Sequence, residues 1–224
     1  MKRIISVLLI AAMAFSATGC LSKSKISSQN LVAYAEQRGS VVYSDVDEMN
    51  KDVNEHINSN DLDYFADGIV LTTDDVRYIL NDGFLYEVSN SLYSKSVKEV
   101  TFFIAAENGG NTDNNSIVIV YALDYESNKD AQKGYENMIT YFDGVMKEAE
   151  AAAGWETDRD SGKADGIKYT LGSASSSRQL RLYGYYQNGS SAMFICCMGD
   201  TYGSASDAMN DMCRNLGVVS PGKL

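Results

Sequence analysis

Two segments of this chain are apolar at almost every position, and they constrain the fold more than any other feature. They are Ile117–Leu123 (IVIVYAL) and Met193–Met198 (MFICCM). Side chains alternate between the two faces of a strand, so a strand that is apolar throughout is buried on both faces. We therefore expect both segments to be central strands of a sheet, with other elements covering each face.

The sequence around these two strands repeats in the same order. Asn188-Gly189 separates two apolar strands and predicts a two-residue hairpin turn, because both positions favour positive φ. The matching pairs are 82–88 with 165–171, Val100–Phe103 with Leu180–Tyr183, and 117–123 with 193–198. We predict an α+β fold whose antiparallel sheet is built from two tandem βββα repeats, at about residues 82–153 and 165–217.

Helical patterns begin at capping residues and end at glycines. Ser127 and Asp130 form an S-x-x-D capping pattern, and the apolar stripe that follows ends at Gly154. Ser204 and Asp207 repeat the pattern before a shorter stripe. Additional N-terminal helices are expected to pack on the sheet, at Asn30–Arg38, Ser44–Asn58 and Thr73–Leu80. Between the two copies, 156–164 is interpreted as a short polar segment.

The first twenty residues have the pattern of a secretory signal peptide. Lys2 and Arg3 precede an apolar run of about fourteen residues, shorter than the roughly twenty that span a membrane. The run ends in Ala17-Thr18-Gly19-Cys20, which resembles the lipobox of bacterial lipoproteins. The resemblance implies cleavage before Cys20 and a diacylglycerol on its sulfur. An uncleaved anchor, or an ordinary secretory signal with an incidental cysteine, remains an alternative.

These features predict three regions. Residues 1–19 are the signal peptide, 20–30 the lipidated cysteine with a flexible polar tether, and 31–224 a single α+β domain. The expected location is the extracytoplasmic face of the cell membrane, with the lipid anchor as the contact to the membrane.

The charge of the chain argues against nucleic acid as a partner. The formal net charge is −11, and loss of Lys2 and Arg3 with the signal peptide would make it −13. Phosphate backbones require a basic surface. The 15 tyrosines either form an exposed binding surface or cover the sheet.

The cysteines and the single histidine provide no recognisable catalytic or zinc site. Without Cys20, three cysteines remain, and the adjacent Cys196 and Cys197 should point to opposite faces of a strand. One of them could pair with Cys213, or all three could be buried thiols. His56 lies on the polar side of a predicted helix and is expected to be solvated. We predict no catalytic residue and no cofactor.

Acidic residues near the start of the second copy are weak candidates for a metal site. Asp158, Asp160 and Asp165 cluster there, and 158–162 (DRDSG) is similar to the start of a calcium loop. The glycine falls one place early, however, and no glutamate closes the loop at its twelfth position. An ordinary turn is the simpler interpretation.

Taken together, the sequence favours a non-enzymatic binding or interaction module anchored at the membrane. Its partner would be an envelope protein or a glycan. The alternative is an anchored hydrolase or a calcium-dependent protein that uses the loop carboxylates.

Overall fold

The chain forms an α+β fold around one eight-stranded mixed sheet. The computed structural model describes residues 25–59, 62–74, 96–108, 115–199 and 202–224. In these ranges the sheet order is β1-β2-β3-β4-β8-β7-β6-β5. The elements are α1 (Ser28–Arg38), β1 (Val41–Tyr43), α2 (Val46–Ser59), β2 (Ile69–Thr73), β3 (Val97–Asn108), β4 (Asn115–Tyr125), α3 (Asn128–Ala151), β5 (Glu156–Ala164), β6 (Ile167–Ser175), β7 (Leu180–Asn188), β8 (Ser191–Gly199) and α4 (Tyr202–Leu216), with short 3₁₀ turns at Leu62–Phe65 and Pro221–Lys223.

The two apolar segments are the central strands, as predicted. β4 and β8 are antiparallel neighbours, with Val120 opposite Ile195. Both residues have no exposed surface, and neither has Tyr121, whose side chain points to the other face of the sheet. Because both faces of these strands are covered, the alternation of polar and apolar residues that marks a surface strand is absent.

Helices cover both faces of the sheet. α2 and α3 pack on one side, called here the α3 face, where the buried cluster includes Phe142 and Tyr185. α1 and α4 pack on the other side, the α4 face, where the cluster includes Leu31 and Met212. The prediction that N-terminal helices pack on the sheet is therefore confirmed for α1 and α2.

Helix ends agree with the prediction at Ser127, Gly39 and Gly217. The helix predicted to start at Ser204 begins at Tyr202, and the one predicted to end at Gly154 ends at Ala151. The Ser127 side chain accepts a hydrogen bond from the Asp130 amide at the start of α3. Gly39 and Gly217 have positive φ after α1 and α4, and the amide after each glycine bonds back into the helix. The cap of α2 differs from the prediction: Asp45, rather than Ser44, accepts a hydrogen bond from the Glu48 amide at 2.8 Å.

The sheet is not purely antiparallel, because β1 pairs with β2 in parallel. The structure also does not show the predicted repeat. If the two copies were related by symmetry, a twofold rotation would exchange the antiparallel neighbours β4 and β8. Only an axis perpendicular to the sheet can do this, and such a rotation does not turn the sheet over. The helix that follows β4 and the helix that follows β8 would therefore lie on the same face. α3 and α4 lie on opposite faces, and the matched residues Val100 and Leu180 also face opposite sides. The first strand of the predicted copy, 82–88, lies outside the described residues.

Three boundaries differ from the sequence interpretation. The predicted polar segment 156–164 is β5, an edge strand, because an edge strand that is largely exposed needs no apolar alternation. Thr73 ends β2 instead of beginning a helix, and residues 75–80 of that predicted helix lie outside the described residues. The predicted tether to residue 30 is too long, because Ile26 is 1% exposed and Ser28 starts α1.

Candidate functional site

A groove of about 830 Å³ opens between α4 and the β5–β6 end of the sheet. It is called here the α4 groove. Its floor is formed by the buried residues Ile167, Tyr186 and Cys213, and one wall by the half-buried Val218 and Val219. An apolar floor in a concave site of this size is typical of small-molecule sites.

The groove exists because α4 stops short of one end of the sheet. α3 crosses the strands from β4 to β5 on its own face, whereas α4 lies over β3, β4, β8 and β7. The positive φ of Gly217 then turns the chain back towards the sheet, and the 3₁₀ turn at Pro221–Lys223 packs against β6 and β7. The space between these elements is the groove.

Tyr186 holds the groove floor to its wall. Its ring lies over Gly184, where the lack of a side chain leaves room: a Cβ there would come within 2.7 Å of the ring. The Tyr186 hydroxyl donates a hydrogen bond to the Val219 carbonyl at 2.6 Å. The floor is therefore positioned by a specific contact from β7 to the C-terminal segment, rather than by apolar packing alone.

The rim of the groove is charged. Arg214 pairs with Asp211 at 3.1 Å, and the Lys25 ammonium lies 3.8 Å from the Asp165 carboxylate. Asp207 also lines the groove and is exposed, and in the described parts of the chain it has no hydrogen bond or ion pair. One rim carboxylate is thus available to a ligand without breaking an existing contact.

The three predicted acidic candidates are placed along β5 and the turn after it. Asp160 shares a face with Tyr169, whose hydroxyl donates to its carboxylate at 3.5 Å and whose ring lines the groove. Asp158, two residues earlier, has the same orientation by strand alternation. Asp165 lies in the β5–β6 turn with a φ of 51°. In the described ranges, acidic, histidine and cysteine side chains form no group able to hold a metal ion.

The cysteines are buried thiols. Cys196 lies on the α3 face and Cys197 on the α4 face, as the sequence predicts, and neither pairs with Cys213. Burial raises the pKa of Cys196 to about 12 and that of Cys213 to about 11. Both thiols are protonated at neutral pH, and the Cys213 thiol donates to the Met209 sulfur at 3.7 Å, so neither cysteine is a thiolate nucleophile.

His56, which was expected to be solvated, is half-buried, and its ring stacks on that of Tyr64 with centroids 3.7 Å apart. The Tyr64 hydroxyl is hydrogen-bonded to that of Tyr43, which donates to Asp52 at 3.0 Å. Burial raises the pKa of Tyr43 above its usual range. These residues come from β1, α2 and a 3₁₀ turn, so no local pattern in the sequence could reveal the cluster.

A carboxylate pair lies near the start of α1. Glu99 and Asp124 are directly opposite each other on β3 and β4. Asp124 accepts hydrogen bonds from the Ser28 amide and from the Ser191 hydroxyl. Burial, and then the charge of Asp124, raise the pKa of Glu99, while a hydrogen bond from Ser28 opposes the shift. Neither carboxylate lines the α4 groove, and Asp124 is occupied in holding α1 to the sheet.

The predicted signal peptide and Cys20 lie outside the described residues. Among the helices that are described, none has both the length and the apolar character needed to cross a bilayer.

Comparisons with known proteins give little further information. No protein-family model matches the chain, and no curated protein matches it. Among solved structures it is similar to the extracellular domain of PknH from Mycobacterium tuberculosis, with 8% identity and a TM-score of 0.37. The match covers 57% of this chain and 66% of that one, just under two thirds of its length. A likeness at this score carries no argument about fold or function.

Proposed function

We propose that this chain is a lipid-anchored extracytoplasmic binding module, and that its α4 groove holds a small ligand from the cell envelope. The observation that carries the proposal is the groove itself, with a buried floor at Tyr186 and Cys213 and a charged rim. A volume of about 830 Å³ is within the range of roughly 300–1,000 Å³ that is typical of small-molecule sites.

The chemistry of the groove favours binding over catalysis. Nucleophilic catalysis requires an activated nucleophile beside a base. Cys213 is held protonated by its burial, and the rim carboxylates Asp165 and Asp207 are exposed. Such groups orient a ligand through charge and shape without activating a reacting atom.

The N-terminal segment sets the distance between the groove and the proposed anchor. Ile26 is buried and Lys25 is paired with Asp165 at the rim of the groove. Lys25 comes five positions after Cys20, and an extended chain spans at most about 3.6 Å per residue, or about 18 Å in total. A lipid on Cys20 would therefore keep the groove close to the membrane surface, where an envelope ligand is concentrated.

The ligand proposal is tested by filling the groove. Ala164 lines the groove on β5, whereas its neighbour Lys163 points to the other side of the same strand. The full chain and the variants Ala164→Trp and Lys163→Trp are purified from envelopes, and co-purifying small molecules are identified by mass spectrometry. We expect one compound to be retained by the native chain and by Lys163→Trp but lost from Ala164→Trp. Equal retention by all three would contradict binding in the groove.

The anchor is tested by Cys20→Ala. We expect this variant to leave the membrane fraction while its thermal unfolding is unchanged, because the folded body begins after Cys20. Firm membrane attachment of the variant, measured by fractionation in high salt, would rule out the lipid anchor.

A further inference from the structure

The edge strand β5 separates its charges between the two faces of the sheet. Arg159 points to the α3 face, where it pairs with Asp143 at 3.1 Å and Glu150 at 2.8 Å. Asp160 points the other way, towards Tyr169 and the α4 groove, and Asp158 follows the same alternation. Both basic residues of β5, Arg159 and Lys163, thus point to the α3 face, and the acidic residues are left on the side of the groove.

The rim of the groove adds to this acidic surface. The cations that the structure describes there are already paired, Lys25 with Asp165 and Arg214 with Asp211. In the described parts of the chain, no cationic side chain pairs with Asp158, Asp160 or Asp207. The groove therefore presents uncompensated negative charge beside an apolar floor.

The Tyr169 ring lies between these two environments. It is half-buried, lines the groove and bonds to Asp160 through its hydroxyl. The face of an aromatic ring attracts a cation, and a nearby carboxylate adds to that attraction. An apolar body could lie against the half-buried Val218 and Val219 while its charged end met Asp207 at the rim.

From this charge complementarity we infer that the α4 groove takes an organic ammonium compound with an apolar body. The inference rests on the proposed function of the groove as a binding site, and it adds the chemical class of the ligand. Among the described residues the cations at the rim are paired, so an anion of the same size would meet the carboxylates without an unpaired cation to receive it.

Three probes, which differ from one another in charge or in size, test the inference. Phenethylamine has the ammonium and the apolar body, 3-phenylpropionate replaces the ammonium by a carboxylate, and ethylamine lacks the ring. Binding is measured by ligand-observed NMR to the full chain in phospholipid nanodiscs, with empty nanodiscs as the blank. We expect phenethylamine to bind, the other two to bind at least about tenfold more weakly, and added salt to weaken the binding.

Variants locate the binding. Asp207→Asn should weaken phenethylamine binding by about tenfold, because it removes the unpaired rim carboxylate. Asp47 is an exposed residue on α2, on the other face of the sheet. Asp47→Asn removes the same charge there and should change phenethylamine binding less than twofold. Equal affinity for phenethylamine and 3-phenylpropionate, or an Asp207→Asn variant that binds like the native chain, would overturn the inference.

The experiments distinguish a failure of the inferred ligand class from a failure of the proposed binding site. If no probe binds and Ala164→Trp still loses its envelope compound, the groove is a binding site but the ammonium class is wrong. If Ala164→Trp also retains everything that the native chain retains, the groove is not the site and both proposals fail.

Discussion

The two faces of the sheet are built from the same strands, yet they differ in how completely they are closed. On the α3 face, rings pack directly on each other: Phe142 lies 5.0 Å from Tyr185, which lies 4.9 Å from Phe194. On the α4 face the core is mostly aliphatic, with thiols and thioethers, and a groove remains at β6.

Helix length explains the difference. α3 has 24 residues and is about 36 Å long, whereas α4 has 15 and is about 22 Å long. The longer helix covers the sheet to its β5 edge, and the shorter one does not. The comparison suggests that the α3 face provides rigidity and that the α4 face, with its uncovered end, provides the binding site.

The largest expected effect tests the close packing of the α3 face. A Cβ at Gly172 would lie 2.1 Å from the Phe142 ring, which is fully buried. We expect Gly172→Ala to lower the free energy of unfolding by about 3 kcal/mol, because neither the strand nor the ring can move away. The measurement is urea denaturation followed by circular dichroism.

Gly144 provides the matched control on α3. It is exposed, and a Cβ there would meet nothing within 4 Å. Gly144→Ala should raise the free energy of unfolding by about 0.5–1 kcal/mol, since alanine favours a helix. A loss of less than about 1 kcal/mol in Gly172→Ala would mean that the α3 face is less rigid than the comparison requires.

Thiol alkylation compares the accessibility of the two faces. At pH 8 the thiolate fraction is about 1 in 1,000 for Cys213 and about 1 in 10,000 for Cys196, given pKa values of about 11 and about 12. Cys213 also lines the groove, whereas Cys196 lies in the core beneath α3. We expect iodoacetamide to modify Cys213 before Cys196, as mass spectrometry would show.

Alkylation of the urea-unfolded chain is the control, and both cysteines should then react at similar rates. Simultaneous modification in the native protein would indicate that the two faces open together. The distinction between a closed face and an open one would then fail.

Two adjacent tyrosines on β7 allow the roles of hydroxyl groups on the two faces to be compared by mutation. Tyr186 donates to the Val219 carbonyl, and we expect Tyr186→Phe to cost about 1–2 kcal/mol. Tyr185 is buried on the α3 face, and within the described residues its hydroxyl makes no hydrogen bond. Tyr185→Phe should change stability by less than about 0.5 kcal/mol in the same urea experiment. Equal losses would show that the groove floor depends on packing alone.

Much of this architecture was predictable because it depends on local patterns. The continuous apolar runs at 117–123 and 193–198 predict two covered faces, and Ser127 and Gly217 mark helix ends. β5 was missed because an exposed edge strand has no apolar pattern to recognise. The groove was missed for another reason: its floor combines Ile167, Tyr186 and Cys213, which are far apart in sequence and meet only through the fold. Similarity between the two sequence copies reflects shared strand patterns, which do not determine the face on which a helix packs.

The smallest expected effect concerns the polar groups on the α4 face. Glu99 lies opposite Asp124, and burial together with that charge raises the pKa of Glu99. A folded-state pKa above the unfolded value means that folding favours the protonated form. The contribution of Glu99 to the free energy of unfolding is therefore fully favourable at pH values below the ordinary pKa of a glutamate. It is lost as the pH rises through the raised pKa. Glu99→Gln should match the native stability at low pH and exceed it at pH 7 by less than about 1 kcal/mol.

The difference in stability is measured from the midpoints of urea unfolding between pH 3.5 and 7. Glu148 is an exposed residue on α3, and Glu148→Gln is the control that should show no such trend. Because Asp124 also receives the Ser28 amide, a stability gain in Glu99→Gln would mean that the start of α1 is held against a repulsion between carboxylates. On the α3 face, by contrast, the carboxylates of Asp143 and Glu150 both pair with Arg159. If the native chain is as stable as Glu99→Gln at pH 7, the Ser28 hydrogen bond fully offsets the repulsion. The stability of the two faces would then depend on pH to the same extent.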